Sequence, residues 1–279
     1  MRELTIRLIR PLTVPVDGSC ITPDILSGKS NEEILSLDLW EGNRKSRLKE
    51  IFSLEGNADT SPKDLGIRVL GDLKKIRRIG HGMTAGGIQV EGDVGMHLGE
   101  GMSGGTIVVE GDAGSWVGSR MNGGIIEVHG NAGDFVGSAY RGSRNGMKAG
   151  SIVIEGNAGV EVGCWMRGGL IRVKGNVGMY PGIHMTDGTV LVEGGCEGRA
   201  GAQMTAGKVV MLGNLISVLP SFVFEDMRDK VKVAEEKLLG PFYSFLGDIN
   251  ENGNGRLSVK VSTNPQLKWC ESYIDKLED

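Results

Sequence analysis

The side chains best suited to metal chemistry in this 279-residue chain are its four histidines, His81, His97, His129 and His184. Imidazole nitrogen is a common zinc ligand, so their spacing matters. They fall at different positions of a 19-residue repeat, and His81 and His184 lie five repeats apart, about 24 Å at the spacing of β-strands. This separation predicts structural roles for the histidines and no shared metal site.

The four cysteines, Cys20, Cys164, Cys196 and Cys270, are far apart and show no Cys-X-X-Cys spacing. Iron–sulfur and structural zinc sites use closely spaced cysteines, so we expect small buried side chains here. The start of the chain lacks the continuous apolar core of a signal peptide. Scattered thiols without an export signal predict a cytoplasmic protein.

Four glutamates, Glu91, Glu110, Glu155 and Glu193, share one repeat position with His129 and Lys174. A carboxylate column could bind cations, but one that is interrupted by His and Lys predicts a solvated face. Glycine-rich segments such as residues 99–105 resemble phosphate loops, yet they precede strands and recur in every repeat. We therefore predict no catalytic, cofactor-binding or metal-ligating residue.

Composition excludes several protein classes. The net charge of −4 is spread without long runs, which gives no electrostatic footprint for nucleic acid or an anionic membrane. No stretch approaches the roughly 20 apolar residues of a transmembrane helix. The 46 glycines are more than twice the usual share, about 7%, and predict many tight corners.

The glycines follow a repeat marked by Met83, Met102, Met121, Met147, Met166, Met185 and Met204, with steps of 19 residues except for one of 26. The longer repeat carries a seven-residue insertion, 140–146. Counting from each methionine, glycines recur at positions 3, 9, 12 and 16. Those predicted to form structural corners are Gly92, Gly99, Gly111, Gly118, Gly130, Gly137, Gly156, Gly163, Gly175 and Gly182.

Ile and Val at positions 5 and 7 alternate with variable residues, as in a strand with one buried face. The predicted fold is an all-β solenoid, a right-handed parallel β-helix of 19-residue coils. Two other repeat folds do not fit. A left-handed β-helix of hexapeptide repeats needs a six-residue phase, which the glycine positions do not keep. Calcium-binding rolls need aspartate-rich turns, which this sequence lacks. Asp or Asn follows most position-9 glycines and could form a side-chain ladder.

The predicted organisation is an N-terminal cap (1–50), the β-helix (51–217) and a C-terminal extension (218–279) that packs on the helix or on a partner. Ser30 to Glu33 reads as a capping box that opens a short helix. In the extension, residues 225–239 read as a possible helix and residues 252–255 as a hairpin turn.

Position 14 is the least ordinary column, because it gathers aromatic and charged residues on a predicted outward face. This surface predicts a partner contact. The alternative is that these side chains pack under the C-terminal tail or the insertion. The predicted interface residues, including two from the insertion, are His97, Trp116, Phe135, Tyr140, Arg141, Tyr180 and Arg199.

The chain resembles the C subunit of formylmethanofuran dehydrogenase and, more distantly, the GxGxG β-helix domain of the large glutamate synthase subunit. The resemblance extends over nearly the whole chain. It is carried by residues 83–93, Gly114 to Gly118, Val136 to Gly142, Pro181 to Met185 and the N-terminal stretch Pro23 to Ser30.

The resemblance implies a scaffold subunit without an active site of its own, in an archaeal methanogenic complex that reduces CO₂ through formate to formylmethanofuran. The implied partners are a tungsten- or molybdenum-pterin subunit, an amidohydrolase-like subunit with dinuclear zinc, and iron–sulfur subunits. The C subunit of the methylotroph formyltransferase/hydrolase complex is the first alternative. A free-standing carbohydrate-active β-helix, which would need a groove with clustered carboxylates or basic residues on adjacent coils, is the second.

Overall fold

A computed structural model describes residues 2–273 of the chain. The N-terminal elements are β1 (Arg2–Leu8), β2 (Val16–Asp17), α1 (Pro23–Leu26), α2 (Asn31–Leu35), β3 (Asp38–Glu41), β4 (Arg44–Arg47), β5 (Phe52–Gly56), β6 (Leu65–Leu70) and β7 (Ile76–Arg77). Short 3-10 helices lie at Leu48–Glu50 and Pro62–Asp64. The predicted capping box is confirmed, because Ser30 Oγ accepts from Glu33 N and Glu33 Oε2 accepts from Ser30 N.

Each repeat contributes one strand at the predicted place: β8 (Gly87–Glu91), β9 (Ser103–Val109), β10 (Asn122–Val128), β11 (Ala149–Ile154), β12 (Arg167–Val173), β13 (Asp187–Val192) and β14 (Lys208–Met211). Neighbouring strands are parallel and keep equivalent residues side by side, as with Ile107 and Ile126. The Ile and Val residues at positions 5 and 7 are buried, which explains the alternation.

The C-terminal strands are β15 (Val223–Val233), β16 (Glu236–Gly247) and β17 (Gly255–Lys260), with 3-10 helices at Ile249–Glu251, Val261–Thr263 and Pro265–Tyr273. The helix predicted over residues 225–239 is wrong, since this stretch lies in an antiparallel pair of long strands. Val231, Val233 and Phe242 pack against Leu191 and Val210 on the outer face of the sheet, and this burial stabilises the strands. The turn predicted across residues 252–255 is confirmed by the pairing of β16 with β17.

The predicted fold class, an all-β solenoid wound as a right-handed parallel β-helix, is corrected by the sheet topology. The strands form one 13-stranded mixed sheet, β15-β16-β17-β14-β13-β12-β11-β10-β9-β8-β6-β1-β5, and one four-stranded sheet, β4-β3-β2-β7. The large sheet is parallel through the repeats, but β5, β15 and β16 are antiparallel to their neighbours. At position 11, where small apolar residues recur, single bridges such as Val94 to Ala113 form instead of strands.

The Asp and Asn residues that follow the position-9 glycines form the expected ladder. Each side-chain oxygen accepts a hydrogen bond from a backbone N–H of the next repeat, as from Asp112 N to Asp93 Oδ1 at 2.7 Å and from Asn157 N to Asn131 Oδ1 at 2.9 Å. The ladder continues through Asn157 and Asn176 to Gly195 N. It therefore ties successive repeats together outside the strands. Among the described residues, no helix has the length and apolar character to cross a membrane.

Candidate partner interface

The corner that follows the position-11 bridge has an unusual backbone. Residues at positions 14 and 16 adopt left-handed conformations, with φ from 62° to 74° at the position-16 glycines such as Gly118. Position 18 is also left-handed in every repeat except the one that contains Ala139. Non-glycine residues occupy the left-handed region at position 14: Arg78, His97, Trp116, Phe135, Glu161, Tyr180 and Arg199. We call residues at positions 14 to 18 the left-handed corner. An L-residue in this region costs about 1 kcal/mol or more, so each bulky side chain is retained against a conformational cost.

Three of the predicted interface residues form a continuous ring stack along the left-handed corner. The His97 and Trp116 centroids are 5.2 Å apart with rings 5° from parallel, and Trp116 and Phe135 are 4.6 Å apart at 20°. The separation matches the spacing between stacked repeats. Position-15 residues such as Val117 point inward and are fully buried, so the rings lie on the outside.

The insertion, residues 140–146, folds back over this stack. Tyr140 lies 6.0 Å from both His97 and Trp116, and the Arg141 guanidinium lies 5.9 Å from the Phe135 ring. The alternative in which the aromatic column packs against the insertion is therefore partly realised. Tyr140 nevertheless remains 51% exposed, so the stack still has an accessible aromatic edge.

Tyr180 and Arg199 are not joined to the stack. They pair with each other, with the guanidinium 5.5 Å from the ring, and Glu161 separates them from Phe135 along the column. Of the predicted interface residues, the structure thus brings His97, Trp116, Phe135, Tyr140 and Arg141 into one cluster and leaves the other two as a second cluster.

Sequence reasoning missed a second outward column, at position 18. Trp165 and His184 stack with centroids 4.2 Å apart, both in the left-handed region, and Arg144 of the insertion lies 5.3 Å from the Trp165 ring. Burial lowers the pKa of His184, which favours the neutral imidazole. Trp165 and His184 are 19 residues apart, and this spacing could have predicted that they stack.

A buried carboxylate, Glu100, also escaped prediction. It pairs with Arg120, and its Oε2 lies 3.4 Å from His97 Nδ1, 3.5 Å from Arg78 Nε and 3.8 Å from His81 Nδ1. Glu100 follows His81 by 19 residues, so their shared repeat position could have predicted that the two side chains lie side by side. Burial lowers the pKa of His97 against the opposing effect of Glu100. The two arginines compensate the carboxylate, which makes this an ion-pair cluster at the end of the ring stack.

The remaining chemical candidates are accounted for within the fold. The glutamate column lies in surface ion pairs, such as Lys174 Nζ to Glu155 Oε2 at 2.6 Å and His129 Nδ1 to Glu110 Oε2 at 2.8 Å. Burial raises the pKa of Cys164 to about 12 and of Cys196 to about 11. Across residues 2–273, no group of three or more His, Cys, Asp or Glu side chains is placed to hold a metal ion.

A scan against models of protein families gives no match. Curated relatives do match, over nearly the whole chain. The chain is 51% identical over 274 residues to the C subunit of the tungsten-containing formylmethanofuran dehydrogenase 2 of Methanococcus maripaludis, covering 96% of this chain and 100% of that protein. It is 42% identical over 98 residues to the C subunit of the molybdenum-containing formylmethanofuran dehydrogenase 1 of Methanosarcina barkeri, covering 35% of this chain and 33% of that one.

A solved structure shares the fold. A chain of the formyltransferase/hydrolase complex from Methylorubrum extorquens, determined in complex with methylofuran, superposes with a TM-score of 0.82 at 33% identity. The alignment covers 92% of this chain and 99% of that chain. The predicted resemblance is thereby confirmed, and the chain belongs to the family of formylmethanofuran dehydrogenase C subunits.

Proposed function

We propose that the chain is the structural C subunit of a formylmethanofuran dehydrogenase complex and that it has no active site of its own. The observation that carries the proposal is the 51% identity over the full length of such a subunit. The fold supports a scaffolding role, because a 13-stranded sheet with ladders of side-chain hydrogen bonds holds surface residues at fixed spacings. We further infer that the left-handed corner with its ring stack contacts a partner subunit.

The proposal assigns the redox and hydrolytic cofactors to partner subunits. Iron–sulfur clusters need several thiolates at one place, and tungsten- or molybdenum-pterin and dinuclear zinc sites also need convergent ligands. The cysteines of this chain do not fit these groups, because they are separate and burial raises the pKa of each thiol. We therefore expect a metal–pterin subunit, an amidohydrolase-like zinc subunit and iron–sulfur subunits as partners. A cytoplasmic location is part of the same proposal.

The second candidate is the C subunit of a formyltransferase/hydrolase complex, which the TM-score of 0.82 supports. The higher identity to the dehydrogenase subunit favours the first candidate. Two relatives that match over their full length are C subunits of tungsten-containing formylmethanofuran dehydrogenases, so tungsten is the metal that we expect in the complex.

The test is an anoxic purification of the tagged protein from its own cells, with native mass spectrometry and metal analysis. An assembly that contains tungsten or molybdenum together with zinc and iron is the expected result. An assembly with zinc but no metal–pterin centre would favour the formyltransferase/hydrolase complex. A monomer without partners would overturn both candidates.

A further inference from the structure

A groove runs along the left-handed corner on both sides of Glu161. One cleft, of about 320 Å³, lies beneath the insertion and is lined by Phe135, Tyr140 and Trp165 among others. A second, of about 640 Å³, lies between the Tyr180–Arg199 pair and residues 219–221. Glu161 and Ile183 line both clefts, so the two are adjacent. We call this feature the corner groove.

The corner groove gathers arginines that lack a carboxylate partner. Arg141, Arg144 and Arg199 each lie against an aromatic ring, at 5.9, 5.3 and 5.5 Å from the centroid. Within residues 2–273, none of the three has a carboxylate oxygen within 4.0 Å, whereas Arg120 and Arg172, elsewhere on the repeats, are in ion pairs. A guanidinium stacked on a ring keeps its N–H donors free for a carboxylate, and all three arginines are exposed.

The two carboxylates that line the groove, Asp248 and Glu161, do not form ion pairs with these arginines. Asp248 is buried and already accepts hydrogen bonds from the backbone N–H groups of Gln203 at 3.0 Å and Asn250 at 3.1 Å. Glu161 is the second carboxylate among the described lining residues, which include Arg141 and Arg199, while Arg144 lies beside the cleft on the Trp165 ring. Burial lowers the pKa of His184, which favours the neutral imidazole, so this side chain adds no positive charge near pH 7. The three guanidiniums therefore remain available to a carboxylate from another chain.

The dimensions of the groove suit an extended peptide. Position 14 contributes Trp116, Phe135, Glu161, Tyr180 and Arg199, which at about 4.8 Å per repeat spans roughly 19 Å. An extended chain rises about 3.3 Å per residue, so about six residues would fill that length. Aromatic walls with stacked arginines offer apolar contact and carboxylate recognition at alternate sites.

We propose that the corner groove binds an extended acidic segment of a partner subunit. Its carboxylates pair with Arg141, Arg144 and Arg199, and its apolar side chains lie against Phe135 and Trp165. The proposal rests on the assembly proposed above and adds the place and the chemistry of the contact. The insertion forms one wall of the site through Tyr140 and Arg141.

The first test uses a photo-crosslinking amino acid, p-benzoylphenylalanine, at Tyr140 in the native complex, with mass spectrometry of the linked peptides. The expected product links the position of Tyr140 to a segment of another subunit that carries at least two Asp or Glu residues. Trp40, which is 54% exposed and lies on the small sheet, is the matched control position. A link to this chain, to a second copy, or to a segment without carboxylates would overturn the proposal.

The second test compares Arg144→Glu with Arg7→Glu, which reverses an exposed arginine on β1 outside the groove. We expect Arg144→Glu to weaken partner retention at least tenfold in washes of rising salt concentration, while Arg7→Glu behaves as the wild type. Equal retention by both variants, in a complex that assembles normally, would refute the groove contact and leave the proposed function standing. Failure of the wild-type chain to assemble would instead refute the proposed function.

Discussion

At the scale of single residues, the left-handed corner contains two kinds of residue. Some are required by the backbone conformation, and others adopt that conformation although glycine would suit it better. Its position-16 glycines serve the backbone, because a Cβ at Gly118 would overlap Cδ1 of Ile152 while φ is 62°. Its position-14 residues do not serve the backbone, since glycine would adopt the same φ at lower cost. Aromatic side chains kept at such positions indicate a role on the surface rather than in folding.

The first prediction concerns Trp116→Gly. Loss of the ring removes stacking worth about 0.5–1.5 kcal/mol per ring pair. Glycine adopts the left-handed conformation without the cost that tryptophan bears, which stabilises the variant by about 1 kcal/mol. We therefore expect the free energy of unfolding to fall by no more than about 2 kcal/mol, while recovery of partner subunits falls sharply. The neighbouring Val117→Ala is the control, because it leaves a cavity at a buried site and should cost about 2–3 kcal/mol without changing the surface. Normal assembly of the Trp116 variant would show that the ring stack is not part of the interface.

The second prediction compares two glycines of similar φ. Gly118 has φ 62° and a side chain there would meet the buried Ile152, whereas Gly101 has φ 69° and no atom within 4 Å of the place that a Cβ would occupy. Gly101→Val should cost about 1–2 kcal/mol from the backbone alone. Gly118→Val should cost at least about 2 kcal/mol more, through overpacking. Equal costs, measured by chemical denaturation, would show that sterics at the corner do not matter.

At the scale of elements, the repeats are joined by two independent sets of hydrogen bonds. Strands β8 to β14 supply one set through the parallel sheet. The Asp and Asn ladder supplies the other, at a turn where backbone N–H groups would otherwise lack strand partners. Because each ladder side chain serves the repeat after its own, removing one affects two repeats.

The third prediction is a pH dependence from Asp93. Its pKa is lowered first by the hydrogen bond from Asp112 N and then by Lys74, whose Nζ lies 3.1 Å from Oδ2. A depressed carboxyl pKa stabilises the fold above the unfolded value, about 3.9, and the contribution is lost as pH falls through the folded pKa. Asp93→Asn should therefore lower Tm at pH 6, and the difference from the wild type should shrink as the pH falls below about 4. A constant difference between pH 3 and pH 7 would contradict this cause.

The elements also show what the sequence could reveal about the fold. Strand positions, inward faces and the ladder follow from the 19-residue spacing, because residues one repeat apart must lie side by side. The spacing holds no information on segments that do not repeat. For this reason the helix prediction failed at β15 and β16, and the mixed character of the sheet was not foreseen. The strand character of this pair depends on contacts with Leu191 and Val210, which are distant in sequence.

The fourth prediction tests this hairpin cover. Leu191 is fully buried on the outer face of the sheet beneath β15 and β16, while Ile125 on the same face is 42% exposed. Leu191→Glu should destabilise the chain by about 3 kcal/mol or more, because it buries a charge without a partner. Ile125→Glu should change stability by less than about 1 kcal/mol. Similar effects for both variants would mean that the hairpin does not cover the sheet in solution.

At the scale of the whole molecule, the sequence could predict only some of the side chains that cluster along the left-handed corner, for a physical reason. A repeat position identifies residues that stack along one column, so the ring stack His97–Trp116–Phe135 could be predicted from the sequence. It does not show which columns lie beside one another, so Trp165, His184 and Glu100 were missed. The path of the insertion over the corner is likewise set by contacts such as Arg144 on Trp165, which no periodicity encodes.

The fifth prediction concerns metal removal. The fold has a continuous apolar core from Leu4 in β1 to Val259 in β17, and burial of this core is the main source of stability that we expect for the isolated chain. A structural zinc site contributes on the order of 10 kcal/mol, so its removal would shift Tm by tens of degrees. We expect dialysis of the isolated chain against EDTA to leave Tm unchanged within about 2 °C, and metal analysis to find less than about 0.1 ion per chain. The intact complex is the control, since the same analysis should detect the metals of its partner subunits. A chelator-induced loss of the fold would place a metal site in this chain and contradict the assignment of all cofactors to the partners.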